Sequence, residues 1–193
     1  NEEPAESEIV GLMDQENWPI LRAEFPSSDF PNSKLQQLFE GEFSAHEYID
    51  QISGGSSALN VSIVDGVWQS PFEDSYWGAD SIDERDVGEG SGGATEMASL
   101  AISSLLNGHD LSNWDLDGDN VVDRLLILHS GQPQEQGGTS GRIWSHFSPL
   151  EEPIIIGGYE IQHYTMASIY GGIGVLLHEM MHQMGAVDLY DVH

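Results

Sequence analysis

Two histidines four residues apart, with a glutamate beside the first, stand in the segment LLHEMMHQMGAVDLYDVH: His178, Glu179 and His182. On a helix, positions i and i+4 are offset by about 40° around the axis, so both imidazoles point the same way, one turn apart. They can then occupy two corners of a zinc tetrahedron. Glu179 lies about 100° further round, beside the ligands, where its carboxylate can take a proton from a metal-bound water. Zinc lowers the pKa of such a water towards about 7 and polarises a carbonyl, which together hydrolyse a peptide bond. Gly185 suits a left-handed helix stop, after which the chain can double back and bring in Asp188 as a third ligand. Met180, Met181 and Met184 read as core packing. The competing reading is a buried helix with two packed histidines. A chance His-Glu-x-x-His match arises in well under ~1 in 100 chains of this length, so the zinc reading leads.

A second constellation is DLDGDNVVD. Asp115, Asp117, Asp119 and Asp123 fall at alternating positions of a calcium loop, with Val121 offering its carbonyl between the last two. Asn120 stands where such a loop wants Gly, although Asn also tolerates the left-handed turn. Leu126 stands where the closing Glu belongs. The ion expected is a structural Ca²⁺; the plainer alternative is an acidic turn entering a strand. His146 and His163 are weaker candidates, read first as packing or solvent-exposed and second as cleft residues, and Glu135 reads first as a solvated loop residue and second as a calcium or substrate ligand. The acidic, Gly-rich stretch GADSIDERDVGEGSGGA reads as a solvated connector rather than a further cation site.

These residues need elements to hold them. WPILRAEF reads as a first buried strand, stopped by Pro26. NSKLQQLFEG and SAHEYIDQISGG read as short helices, capped by Ser33 and Ser44. ALNVSIVDGVW alternates with period two, with Asp65-Gly66 opening a return. TEMASLAISSLLNG is a helix with Met97, Leu100, Ala101 and Leu105 on one face and Thr95 as cap. VVDRLLILHSG is an apolar strand, GRIWSHF another, and PIIIGGYEIQHYTM a hairpin turning on Gly157-Gly158. The motif sits on a last helix from Gly172 to Met184. The fold class expected is α+β, a twisted mixed sheet with backing helices and an active-site helix, over residues 18–193. Residues 1–17 are expected to form an acidic N-terminal arm.

Composition bounds the partners. The chain has 193 residues, with 33 Asp+Glu against 5 Lys+Arg and a formal net charge of −28. Such a surface repels nucleic acid and anionic membranes and suits a protein working in high salt, so a halophilic or marine source is the expectation, with a generic acidic secreted protein close behind. No apolar run reaches the roughly 18 residues of a membrane span. With no cysteine, any zinc site must use His and carboxylate. The opening NEEPAESE is no signal peptide, so the chain reads as a processed segment.

GVLLHEMMHQMGAVDLYD resembles the signature of the immune inhibitor A family of secreted metallopeptidases, His-Glu-x-x-His-x-x-Gly-x-x-Asp with a trailing Leu-Tyr-Asp. DLDGDNVVDRLLILHSG, RIWSH, EFPSSDF and SAHEYIDQISGG are similar to other parts of that family. The resemblance implies a zincin-like catalytic domain and a secreted or cell-surface zinc endopeptidase acting on polypeptides, often calcium-stabilised and made as a zymogen. It implies His178, His182 and Asp188 as zinc ligands, Glu179 as general base, and the Asp115–Asp123 loop as calcium site. Met181 departs from the small residue common there. The family's downstream half has no counterpart before His193, which leaves a pro-segment or the rest of the precursor as expected partners. A second class of function is a calcium-stabilised surface or assembly protein that keeps an inactive zincin scaffold. For the enzyme, an extended peptide is expected to pair with an edge strand near Ile143–Phe147.

Overall fold

In a computed structural model of the chain, which describes residues 9–82, 84–89, 92–137 and 139–187, the apolar run around Leu125 becomes the middle of a mixed sheet. Strand β4 (Leu126–His129) is buried at every residue, as a strand covered on both faces must be. β1 (Gln15–Glu24) and β6 (Tyr159–Ser168) flank it, both parallel to it. β2 (Ala58–Ile63) and the two-residue β3 (Trp68–Gln69) follow one another along the far side of β1. β5 (His146–Ile156) pairs antiparallel with β6 and is the outer strand in the order β2-β1-β4-β6-β5. The β5–β6 hairpin turns on Gly157 and Gly158, whose φ values of 62° and 95° are the left-handed geometry a two-residue turn requires.

Two expectations about the strands need correction. Asp65-Gly66 does turn the chain, but β2 and β3 pair with β1 in parallel and not with each other. GRIWSHF and PIII are not two strands. Ile143 is buried ahead of the sheet, and one long β5 runs from His146 through an irregularity between Pro149 and Ile154.

Alternation along β1 and β4 builds two cores. Trp18, Ile20, Leu126 and Leu128 face α1 (Asn32–Phe39), α2 (Ala45–Ile52) and α5 (Gly172–Gln183). Leu21, Ala23, Leu125 and Ile127 face α3 (Asp74–Gly78) and α4 (Gly93–Leu105). The helices therefore cover both faces of the sheet, as the crossovers between parallel strands demand. Ser44 caps α2 by accepting the Glu47 amide, as expected. Ser33 does not cap α1, which begins a residue earlier, behind Pro31, without a side-chain cap. Thr95 lies inside α4, and Leu100 faces solvent rather than the core.

β1 starts at Gln15, so the strand takes Gln15–Asn17 out of the expected arm. The reason is Glu16, which is 0% exposed and paired with the equally buried Arg124 at 2.7 Å. Arg124 also donates to the carbonyls of Gly11, Asp123 and Gln183. Glu16 further accepts from the Trp18 indole and the Met13 amide. The segment from Gly11 is thus tied into the interior. Removing one partner of a buried pair leaves an uncompensated charge. Arg124→Leu should cost about 3–5 kcal/mol in urea denaturation, and the double variant with Glu16→Leu should lose clearly less. A single-variant loss below about 1 kcal/mol would show the pair to be dispensable.

Candidate metal centre

The helix carrying the motif is two-faced. Leu176, Leu177, Met180 and Met184 are buried in the core beneath it, each contributing on the order of 2 kcal/mol of apolar burial. Met181 is half-buried against the same core, so the expected packing role of all three methionines holds. His178 is exposed and His182 half-buried on the opposite face.

Gly185 stops the helix. Its φ is 88°, its amide donates to the His182 carbonyl, and the Ala186 amide reaches back to the Met181 carbonyl. That pair of bonds is the left-handed C-terminal motif in which the chain leaves at a fixed angle. The turn also fixes a tautomer. His182 Nδ1 lies 2.9 Å from the Ala186 carbonyl oxygen; a carbonyl only accepts, so Nδ1 carries the proton and Nε2 keeps its lone pair. The two Nε2 atoms of His178 and His182 face one another at 3.1 Å, with ring centroids 4.6 Å apart.

Glu179, 7% exposed, lies alongside. One ligand atom from each of His178, Glu179 and His182 falls within 4.8 Å of the others, an arrangement that can hold a metal ion. Asp188, the expected third ligand, lies outside the described residues.

The acidic loop folds partly as its spacing predicts. Carboxylate oxygens of Asp115, Asp117 and Asp123 converge within 4.8 Å of one another. Asp119 is not in that group and turns to accept the Val121 amide at 2.7 Å. Asp115 accepts from the amides of Gly118, Asp119 and Asn120. Asn120 has φ 70° and so takes the left-handed place of the expected glycine. Asp123 is pushed up to about 6 by its burial, against the lowering effect of the Leu116 amide.

The weaker candidates are held elsewhere. His146 donates from Nδ1 to the Trp144 carbonyl, while its Nε2 meets the Tyr164 hydroxyl, which reaches Thr95 of α4. It therefore faces the α4 side of the sheet, away from α5. Asp86 lies 3.7 Å from that imidazole and is pushed up to about 7 by burial, although the Trp144 amide lowers it. Glu135 holds the Ser145 hydroxyl and amide. His163 faces α5, where its Nδ1 meets the side-chain amide of Gln183 at 2.9 Å and its ring lies edge-on to Phe147. Burial, with Arg124 nearby, lowers it to about 4. Sequence reasoning missed Gln183, Arg124 and Glu16. A lone arginine inside the apolar strand VVDRLLILH, in a chain with 5 Lys+Arg, was the available signal.

The catalytic-domain model of the immune inhibitor A peptidase M6 family matches residues 27–193. The chain belongs to that family. It is also similar to the "Immune inhibitor A" of Bacillus thuringiensis subsp. alesti, 29% identical over 175 residues. That match takes in 75% of this chain and 25% of the relative, so the chain spans about a quarter of that protein's length. The M6 domain match includes the histidine pair, Glu179 and the acidic loop. Among the described residues, no helix is long and apolar enough to cross a membrane.

Burial separates the histidines, and pH should reveal it. His129 is 0% exposed at the end of β4, edge-on to Phe25, with both ring nitrogens unpartnered among the described residues. Burial lowers it to about 3 from 6.5. Its folded pKa is below the unfolded one, so the stability it permits is complete above about pH 6.5 and lost as pH falls towards 3. Relative to His129→Leu, the parent should lose about 3 kcal/mol of unfolding free energy between pH 7 and pH 4. A difference independent of pH would refute the neutral, buried ring.

Proposed function

We propose that the chain carries the catalytic site of a zinc endopeptidase of zincin type, working outside the cell on polypeptides. The observation that carries this is the pair of imidazoles converging on one point with Glu179 beside it. Their Nε2 separation of 3.1 Å lies close to the edge of about 3.3 Å that two ligands 2.0–2.1 Å from a tetrahedral zinc would span. With no cysteine in the chain, the nitrogen and carboxylate donors here suit zinc better than a soft metal. His178, His182 and Asp188 would hold it, and the bound ion would supply Lewis acidity to carbonyl and water.

The rest falls to the protein. The Ala186 carbonyl keeps His182 in the tautomer that can ligate. Glu179, held under the site by its buried position, accepts a proton from the attacking water and delivers it to the departing amine nitrogen. β5 is the outer strand of the sheet, so an extended substrate can add to it by backbone pairing. The usable edge begins at His146 rather than Ile143. Pro149 has no N–H to give, so pairing weakens beyond Ser148.

Glu179→Gln keeps the shape and loses the base. The variant should retain stoichiometric zinc while cleavage of an unfolded protein substrate falls by about 10²–10⁴-fold. Parent-like cleavage would discard Glu179 as base. A zinc-loaded parent inert on every unfolded substrate would move the reading to a non-catalytic zincin scaffold.

For the acidic loop we propose a structural Ca²⁺ held by Asp115, Asp117 and Asp123, with Asp119 and Val121 joining only if the loop adjusts. The support is the convergence of three carboxylates beside a buried strand, where burial and the neighbouring Asp117 charge disfavour the ionised Asp123 more than the nearby Arg124 favours it. Saturating Ca²⁺ should raise Tm by on the order of 5–10 °C, and Asp123→Asn should abolish the rise. An unchanged Tm in the parent would leave an ordinary acidic turn.

A further inference from the structure

Gln183 follows His182 directly and is 0% exposed. Its side chain points into the sheet, opposite to the histidine. In the amide orientation that satisfies every neighbour, Nε2 donates to the Leu125 carbonyl at 3.1 Å and to Thr165 Oγ1 at 2.9 Å. Oε1 then accepts from the Leu125 amide at 3.3 Å and from His163 Nδ1 at 2.9 Å. All four hydrogen-bonding positions of the amide are used, two of them on the backbone of one residue. The Gln183 carbonyl, one of the last in the helix, accepts from Arg124 Nη1 at 3.0 Å. The guanidinium is itself locked by Glu16 through Nε and Nη2.

We propose that Gln183, braced by Arg124, is a positioning residue for the metal centre: it fixes the height and rotation of the final helical turn on which His182 stands. The inference rests on the zinc reading above and goes beyond it, because the four bonds of the Gln183 side chain go to Leu125, Thr165 and His163. The physical argument is one of lever arms. His182 is on the last full turn, where helices fray and where only half the backbone groups have partners within the helix. Apolar contacts along Leu176 and Met180 resist lifting of the helix, but non-directional packing fixes its rotation about its own axis less well. Four directional bonds at the residue next to the ligand do fix rotation. A turn rotated by a few degrees carries the His182 ring away from His178 and spoils the 3.1 Å approach of their Nε2 atoms.

Buried polar groups that orient metal ligands are typically worth 10–100-fold in metal affinity. The test uses Gln183→Leu, which keeps bulk and removes the amide, and Thr165→Val, which removes a single bond from the sheet side. Each intact protein is stripped of metal, then titrated with zinc against a chromophoric chelator, well below its melting temperature. Each is also loaded with cobalt and its visible absorption recorded, since band position and intensity report ligand geometry. Gln183→Leu should bind zinc about 10–100-fold more weakly and show an altered cobalt spectrum, with Thr165→Val changed a few-fold in the same direction. A lowered Tm with parent-like zinc affinity and cobalt spectrum would make Gln183 a structural residue and overturn the proposal. If Gln183→Leu does not fold, Thr165→Val decides alone, and parent-like values in it count against the proposal. A parent that binds no zinc would be a different failure, that of the metallopeptidase reading itself.

Discussion

A guanidinium without access to water must place all its hydrogens on acceptors, and Arg124 does so with five bonds. Those acceptors come from Gly11 and Glu16 at the start of the chain, from Asp123 at the end of the acidic loop, and from Gln183 at the end of α5. Losing Glu16 would strand a charge in the interior, and losing any of the carbonyls would leave a guanidinium N–H without its acceptor. The arginine therefore dictates a meeting of three stretches of chain that are remote in sequence. Two of them are the candidate cation loop and the candidate metal helix. An apolar residue at this place could pack equally densely, but it would not specify which carbonyls must gather around it.

From that junction the geometry of the site follows in short steps. The helix ends where its last carbonyl meets Arg124, and Gly185 then turns the chain through a left-handed conformation. The turn brings the Ala186 carbonyl under His182 and sets which nitrogen is protonated. The apolar face of α5 decides that Met180 lies down on the sheet, and the helical period then decides that His178 and His182 do not.

What was legible in the sequence was what depends on local spacing. The i, i+4 histidines, the glycine stop, the Ser44 cap and the Gly157-Gly158 turn each follow from neighbours within a few residues, and each is found in the structure. The alternation of Asp115, Asp117 and Asp123 was legible for the same reason, while Asp119 was lost to a competing bond with its own Val121 amide. Long-range pairing was not legible. Nothing near Glu16 announces a partner at Arg124, so Gln15–Asn17 read as part of an acidic arm. The wrong partner for β3 has a similar cause. A turn at Asp65-Gly66 reverses the chain equally well into a hairpin or back along β1, and only the packing of Trp68 in the α4-side core separates the two.

The histidines show how one residue type is sorted by its surroundings. His129 and His163 are sunk in the two faces of the sheet, where burial holds both neutral. There they act as flat, weakly polar core rings, one against Phe25 and the other against Phe147. His146 is consumed by Trp144 and Tyr164. His178 and His182 are set apart by standing on a helix whose other side carries the apolar core contacts, so their Nε2 atoms meet in reach of a common ion. His163 nevertheless belongs to the same machinery at one remove, since its Nδ1 proton helps complete the shell around Gln183. Histidine content by itself therefore says little about metal chemistry in this chain; the face each ring is given by its element decides it.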